Sequence, residues 1–279
     1  MLRRFAPLPA LILPPLILLV FAAPARSQNA EEQWKRLVMQ ALYAASSNNY
    51  SSAEQIFLRA THEAERFGAE DARVGTTLNS LGLIYRAEKK YPDAENSYRR
   101  ALAILEKAYG AGSIDVANVN FNIASVMFDQ SHQQSALPYI QKAMVAYQTL
   151  LGPASLKTAA SLCMVGDAYR VMKSYAEAEE PLRRCAEIRE KDGGVQNPEL
   201  AEAQHSLALV MQGQGKLSQA EARYKLAEKI QETTLGITSP ALAQTMEDHA
   251  SLLRQMSRDK EAEKLLTMVN AIRRTAPKK

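Results

Sequence analysis

Arg86, Arg170 and Arg254 recur at one regular interval along the chain. A guanidinium fork holds a carboxylate through paired hydrogen bonds. Each of the three could therefore grip an acidic group of a ligand, or close a salt bridge at its own helix end, to Asp167 or Glu88 for example. The chain has two cysteines, Cys163 and Cys185. In an oxidising compartment they could bridge; in a reducing one they would be two small buried apolar side chains. The four histidines, His62, His132, His205 and His249, never pair four residues apart, and no H-E-x-x-H occurs. A metal site needs converging ligands, so none is expected. Gly213-Gln214-Gly215 fits a helix-hairpin turn rather than a phosphate loop, since no G-x-x-x-x-G-K-[ST] is present. With no G-x-S-x-G either, the sequence predicts no catalytic residue, no cofactor and a non-enzymatic protein.

These residues are positioned by a repeat. Glycines end successive units at Gly68, Gly110, Gly152, Gly194 and Gly236, a 42-residue step. In the same register run Ala53, Ala94, Ala136, Ala178, Ala220 and Ala262; then Ala41, Gly82, Ala124, Gly166, Ala208 and Ala250; then Ala60, Ala101, Ala143, Cys185, Ala227 and Val269. Small side chains let two antiparallel helices approach closely, and larger ones such as Phe57, Tyr98, Ile140, Leu182, Tyr224 and Leu266 fill the space beside them. Cys163 lies one turn before Gly166 and Cys185 two turns after Ala178, so an antiparallel pair brings them to about the same height. Asn197-Pro198 and Ser239-Pro240 place a capping side chain before proline at a helix start. Pro138 falls early enough in its helix to cost little, whereas Pro181 is deeper. Six helix pairs are predicted, at about 30–68, 69–110, 111–152, 153–194, 195–236 and 237–275.

The ends have another character. Arg3 and Arg4 precede an apolar stretch from Leu8 to Ala22, followed by Ala23-Pro24-Ala25. This is the layout of a secretory signal peptide over residues 1–27, cleaved after Ala25 or Ser27. The mature chain, 28–275 with a basic tail at 276–279, is expected to be exported, periplasmic or secreted, with no stable membrane span. The formal charge of +4 comes from 34 basic and 30 acidic residues mixed along the helices. Nucleic acid, which demands a concentrated basic stripe, is an unsuitable partner.

Leu81-Gly82, Tyr85, Ala94, Tyr98 and Ala101 reproduce the spacing of the tetratricopeptide signature. Residues Val74 to Tyr85, Tyr91-Pro92-Asp93-Ala94-Glu95 and Tyr175 to Leu182 resemble the 42-residue variant found in kinesin light chains and their bacterial relatives. The Ala-Glu pair recurs in five of six units; the third has Ala136-Leu137. That resemblance implies an all-α, right-handed α-solenoid of about six repeats, with a concave groove lined by the first helix of each pair. Mapped onto this chain, it implies groove positions at Asn79, Arg86, Asn122, Phe128, Asp167, Arg170, His205, Gln212, Glu247 and Arg254. Asparagines near the small residue of the first helix bind an extended peptide backbone in such proteins. Asn79, Asn120 and Asn122 are the nearest matches here, while units four to six lack them; filling of an exposed polar face is the other reading.

The expected function is a scaffold that binds a peptide or protein segment in the groove. The alternative is a self-associating envelope protein that forms a homo-oligomer through the end of its solenoid, where Leu265, Leu266, Met268, Val269 and Ile272 lie on the last helix.

Overall fold

The computed structural model describes residues 22–275, and these form twelve α-helices with no strand. The residues expected to form the export segment lie mostly outside this range, as does the 276–279 tail; positions 22–27 begin the first helix. Consecutive helices pack as antiparallel pairs. They are α1 (Ala22–Ser46) with α2 (Tyr50–Glu65), α3 (Ala72–Ala87) with α4 (Tyr91–Tyr109), and α5 (Ile114–Asp129) with α6 (Gln133–Leu151). Then follow α7 (Leu156–Val171) with α8 (Tyr175–Gly193), α9 (Pro198–Gly213) with α10 (Leu217–Leu235), and α11 (Pro240–Gln255) with α12 (Asp259–Thr275). Each pair packs on the next, giving an α-solenoid.

The small-residue columns lie where helices meet most closely. Ala53, Ala94, Ala136, Ala178, Ala220 and Ala262 are all fully buried. A Cβ on Gly82 would stand 2.5 Å from the Tyr98 ring, and one on Gly166 would stand 2.4 Å from Leu182. Only glycine lets those side chains lie flat against the facing backbone. Within pairs the chain turns through a left-handed residue: Asn48, Lys89, Ser131, Lys173 and Ser257, with φ of 57–61°, and Gly215 in the same column. The turn closes as at Lys90, whose N–H reaches the Tyr85 carbonyl at 2.8 Å, the helix-ending motif that usually recruits glycine. Of the two predicted caps, Asn197 accepts from the Glu199 and Leu200 amides, but Ser239 makes no side-chain cap bond. Pro138 is the sixth residue of α6, beyond the amides that lack helical partners, so like Pro181 in α8 it removes an intrahelical bond.

The odd-numbered helices also approach one another, α3 with α5, α7 with α9 and α9 with α11. The layer with the shorter spacing between pairs lies inside the curve, so the odd helices line the concave face. Hydrogen bonds between side chains 43 residues apart recur there: Trp34 to Thr77 at 2.9 Å, Asn122 to Asn79 at 2.9 Å, Arg86 to Asp129 at 2.6 Å and Gln212 to Gln255 at 3.3 Å.

At the turn edge a second ladder links the glutamate of an Ala-Glu pair to a cation in the next turn. Lys90 meets Glu54 at 2.6 Å, Lys216 meets Glu179 at 2.8 Å, and Arg258 meets Glu221 at 2.6 Å. Hydrogen bonds from Arg258 and Lys225 hold the Glu221 carboxyl well below the usual carboxylate range, at about 2. A carboxyl whose pKa is depressed by folding stabilises the fold above its unfolded value and loses that contribution as pH falls through the folded value. Urea titrations at stepped pH are therefore expected to show Glu221→Gln less stable than the parent at neutral pH and less sensitive to acid between about pH 4.5 and pH 2. Parallel profiles for the two proteins would remove the clamp from the stability balance.

The last helix covers more of its apolar face than its sequence implies. Val269 and Ile272 are buried, Leu265 and Leu266 are half-buried, and Met268 alone of the five is exposed. At the other end of the solenoid Met39, Leu42 and Tyr43 are exposed together on α1.

Candidate functional site

On the concave face, pairs two, three and four enclose an open cavity of about 460 Å³. Its walls are Asn79 and Leu83 from α3; Asn118, Phe121 and Asn122 from α5; Tyr147 from α6; and Leu156, Lys157 and Ala160 from α7. The amides there are ordered by their neighbours. Asn122 donates through Nδ2 to Asn79 Oδ1, which leaves the Asn79 Nδ2 donor and the Asn122 Oδ1 acceptor for a ligand. Asn118 Oδ1 accepts from the Tyr147 hydroxyl at 2.9 Å and from Lys157 Nζ at 2.6 Å, so its Nδ2 group remains a donor. Burial raises the pKa of the Tyr147 phenol, keeping it a neutral donor. The Lys157 ammonium lies 5.3 Å from the Tyr147 ring centroid, and that ring packs at 6.2 Å from Phe121. Amide donors and acceptors beside exposed Leu83 and Leu156 suit a main chain carrying apolar side chains.

Asn79 and Asn122 are thus brought together. Asn120 is not: it is buried, donates to its own helix at Val116 O, and lines a different cavity with Pro138 and Val145. Phe128 is half-buried against the apolar core.

The arginines have partners within the chain. Arg86 forks onto Asp129 of the next pair at 2.6 and 3.2 Å, rather than onto Glu88, which pairs with Lys90. Arg170 bonds Asp167 at 2.8 Å, and Asp167 also accepts from Ser206 at 2.8 Å. Arg254 reaches Glu263 of its own pair at 2.6 Å. His205 pairs with Asp248 at 2.9 Å and packs beside Tyr224, which also stacks on His249. A ligand must displace these contacts to use those groups, whereas the amides around Asn79 have capacity to spare.

Tyr147 and Lys157 were not among the groove positions expected from sequence. Tyr147 sits on a second helix, outside the rule that first helices line the groove. Lys157 has no equivalent in the asparagine and arginine columns. A disulfide joins Cys163 on α7 to Cys185 on α8, with Cα atoms 5.5 Å apart, and staples the two helices of the fourth pair. Among the described residues no group of three or more His, Cys, Asp or Glu side chains is arranged to hold a metal ion, and no helix is long and apolar enough to cross a membrane.

Comparison with protein families matches the tetratricopeptide repeat over residues 73–149, 115–191 and 199–275. Among curated proteins, a TPR repeat-containing protein of Dictyostelium discoideum is 24% identical over 154 residues, which is 54% of this chain and 9% of that protein. A clustered mitochondria protein homolog of Coccidioides immitis is 20% identical over 147 residues, 51% of this chain and 12% of that one. The chain therefore spans only about a tenth of the length of these relatives. Among solved structures, a putative kinesin light chain of Podospora anserina with nearly identical TPR-like repeats is 21% identical, at a TM-score of 0.60 over 72% of this chain and 95% of that one. BtubC from P. vanneervenii is 20% identical, at a TM-score of 0.63 over 75% and 89%. A Rap protein complexed with Competence and Sporulation Factor is 18% identical, at 0.54 over 89% and 78%. At these identities the structural likeness establishes the fold.

Proposed function

The chain belongs to the tetratricopeptide repeat family, and from that premise we propose that it is a non-catalytic scaffold that holds an extended peptide or protein segment on its concave face, across the Asn79–Lys157 cavity. One observation carries this reading: the cavity presents unused amide donors and an unused acceptor beside exposed apolar side chains, on the layer where neighbouring helices approach. An extended segment offers the matching pattern, alternating main-chain polar groups with side chains. A Rap protein of similar fold is complexed with Competence and Sporulation Factor, which supports a binding role.

The finer type is the kinesin light chain-like repeat, in an exported bacterial protein of the periplasm or exterior. The export-like pattern of residues 1–27 and the Cys163–Cys185 bridge support that location, because disulfides persist where thiols are oxidised.

An array of twelve-residue peptides supplies the test. Asn79→Ala/Asn122→Ala and Lys157→Ala are each expected to weaken binding of the array peptide held most tightly by about tenfold, one or two lost hydrogen bonds at ~1 kcal/mol each. Circular dichroism should remain unchanged. Binding that survives both changes would move the site elsewhere on the solenoid.

A further inference from the structure

We propose that the solenoid has one built-in joint, between the third and fourth helix pairs, and that the segment bound in the concave cavity sets its angle. The joint rests on the structure alone; its control by a bound segment rests on the function proposed above.

The turn-edge ladder identifies the place. Glu54–Lys90, Glu179–Lys216 and Glu221–Arg258 clamp the first pair to the second, the fourth to the fifth and the fifth to the sixth. In the same two columns the third and fourth pairs carry Leu137 and Ser174, which cannot form that contact. Between the second and third pairs the columns carry Glu95 and His132, and Glu95 is held by Arg99. That junction is nevertheless tied by Arg86 on Asp129 and by Arg99 on the Tyr139 hydroxyl. Among the described residues no ion pair crosses from the third pair to the fourth.

Other features converge there. Pro138 follows Leu137 in α6, and Pro181 lies in α8, so a helix on each side of the junction lacks an internal bond. The apolar core that runs from Ala41 through Tyr147 takes in Val165 alone of the buried residues of the fourth pair, with Met164 and Tyr169 packed half-buried against it. The disulfide makes the fourth pair a stiff block, so strain passes to its boundary. In a solenoid each pair touches only its neighbours. Compliances therefore add in series, and the least restrained junction takes most of the bending. An ion pair at the edge resists tilting with a long lever arm about the inner layer, so its loss matters more for bending than for stability.

The cavity straddles this junction. Asn118, Phe121, Asn122 and Tyr147 belong to the third pair, and Leu156, Lys157 and Ala160 to the fourth. Across it no polar tie joins two charges: Lys157 meets the neutral Asn118 amide at 2.6 Å, and Gln141 to Tyr169 at 3.3 Å and a weak Ser125 contact to the Met164 sulfur at 3.9 Å are neutral at both partners. A segment lying over the cavity touches both blocks and replaces the missing clamp.

Electron–electron distance measurements test this with spin labels on non-natural amino acids, which leave the disulfide intact. Labels at Ala103 and Glu187 span the joint from the second pair to the fourth; labels at Glu187 and Asn270 span the clamped fourth to sixth pairs. The first distance distribution is expected to be about twice as wide as the second. Leu137→Glu/Ser174→Lys, which restores the clamp, is expected to narrow the first to the width of the second. Equal widths in the parent protein, or a first distribution indifferent to the restored clamp, overturn the joint. Saturation with the tightest array peptide should narrow the first distribution and leave the second unchanged. A distribution that stays wide with peptide bound overturns the control by ligand while leaving the joint. If no array peptide binds, the proposed function fails and the joint is judged by the ligand-free widths.

Discussion

Replacing Tyr98 with alanine is expected to destabilise the protein by about 3–5 kcal/mol, the range for emptying a large aromatic site in a packed core. Tyr98 is fully buried, and its ring lies against the Gly82 backbone at a distance no side chain on Gly82 could share. The facing backbone belongs to α3 and cannot collapse into the void without breaking the register of the second pair. Burial raises the pKa of the phenol, and its hydroxyl finds no hydrogen-bond partner among the described residues. The hydroxyl therefore contributes a desolvation cost without a compensating bond. Tyr98→Phe should be neutral or more stable by up to about 1 kcal/mol, which separates ring from hydroxyl. Urea unfolding followed by circular dichroism reads the whole solenoid. Fluorescence of the single tryptophan, Trp34, reads the first junction, where its indole N–H donates to Thr77. A loss below 1 kcal/mol for the alanine variant would mean that the columns of small residues do not set the packing.

Removing the disulfide should have the next largest effect, about 3 kcal/mol for a loop closed by a bridge between cysteines 22 residues apart. Cys185 is fully buried in a column that holds Ala60, Ala101, Ala143 and Ala227 in four of the other units and Val269 in the last, so Cys185→Ala fits the site by volume. The loss in Cys163→Ala/Cys185→Ala then reports the cross-link rather than a packing defect. Reductant should lower the urea midpoint of the parent and leave that of the double variant unchanged. Hydrogen exchange should rise first in α7 and α8. If reductant moves neither midpoint, the fourth pair is held by its apolar contacts and the stiff block behind the joint is gone.

Much of this was legible in sequence because close packing leaves a strict mark. Gly82 and Gly166 could be placed against Tyr98 and Leu182 from column spacing alone, since nothing larger fits. Contacts between pairs were harder to read, because they depend on how far one pair is shifted along the next. Inner-face partners are 43 residues apart, as at Arg86 and Asp129, whereas turn-edge partners are 36 or 37 apart, as at Glu54 and Lys90 or Glu179 and Lys216. Without that offset, Arg86 pointed as readily to Glu88. Asn120 misled because it is two residues from Asn122 on a helix, and so lies on a different face. Tyr147 was missed because an outer-layer ring reaches inward only where its neighbours leave room. The end of α12 was misjudged for a related reason: its apolar residues were counted, but the depth of the groove receiving Val269 and Ile272 was not visible in them.

The turn-edge clamps join columns rather than individuals, and this bears on how such a chain can lengthen. A tandem copy of the fifth pair would bring its own Lys216 to the Glu221 column of the copy before it, and would carry Glu221 forward to meet Arg258. The array would grow by one rigid step with its ion pairs intact. A tandem copy of the third pair would bring a second Leu137 with it, adding reach and another soft place together. Gain of length and gain of suppleness are thus written into different cassettes of the same gene.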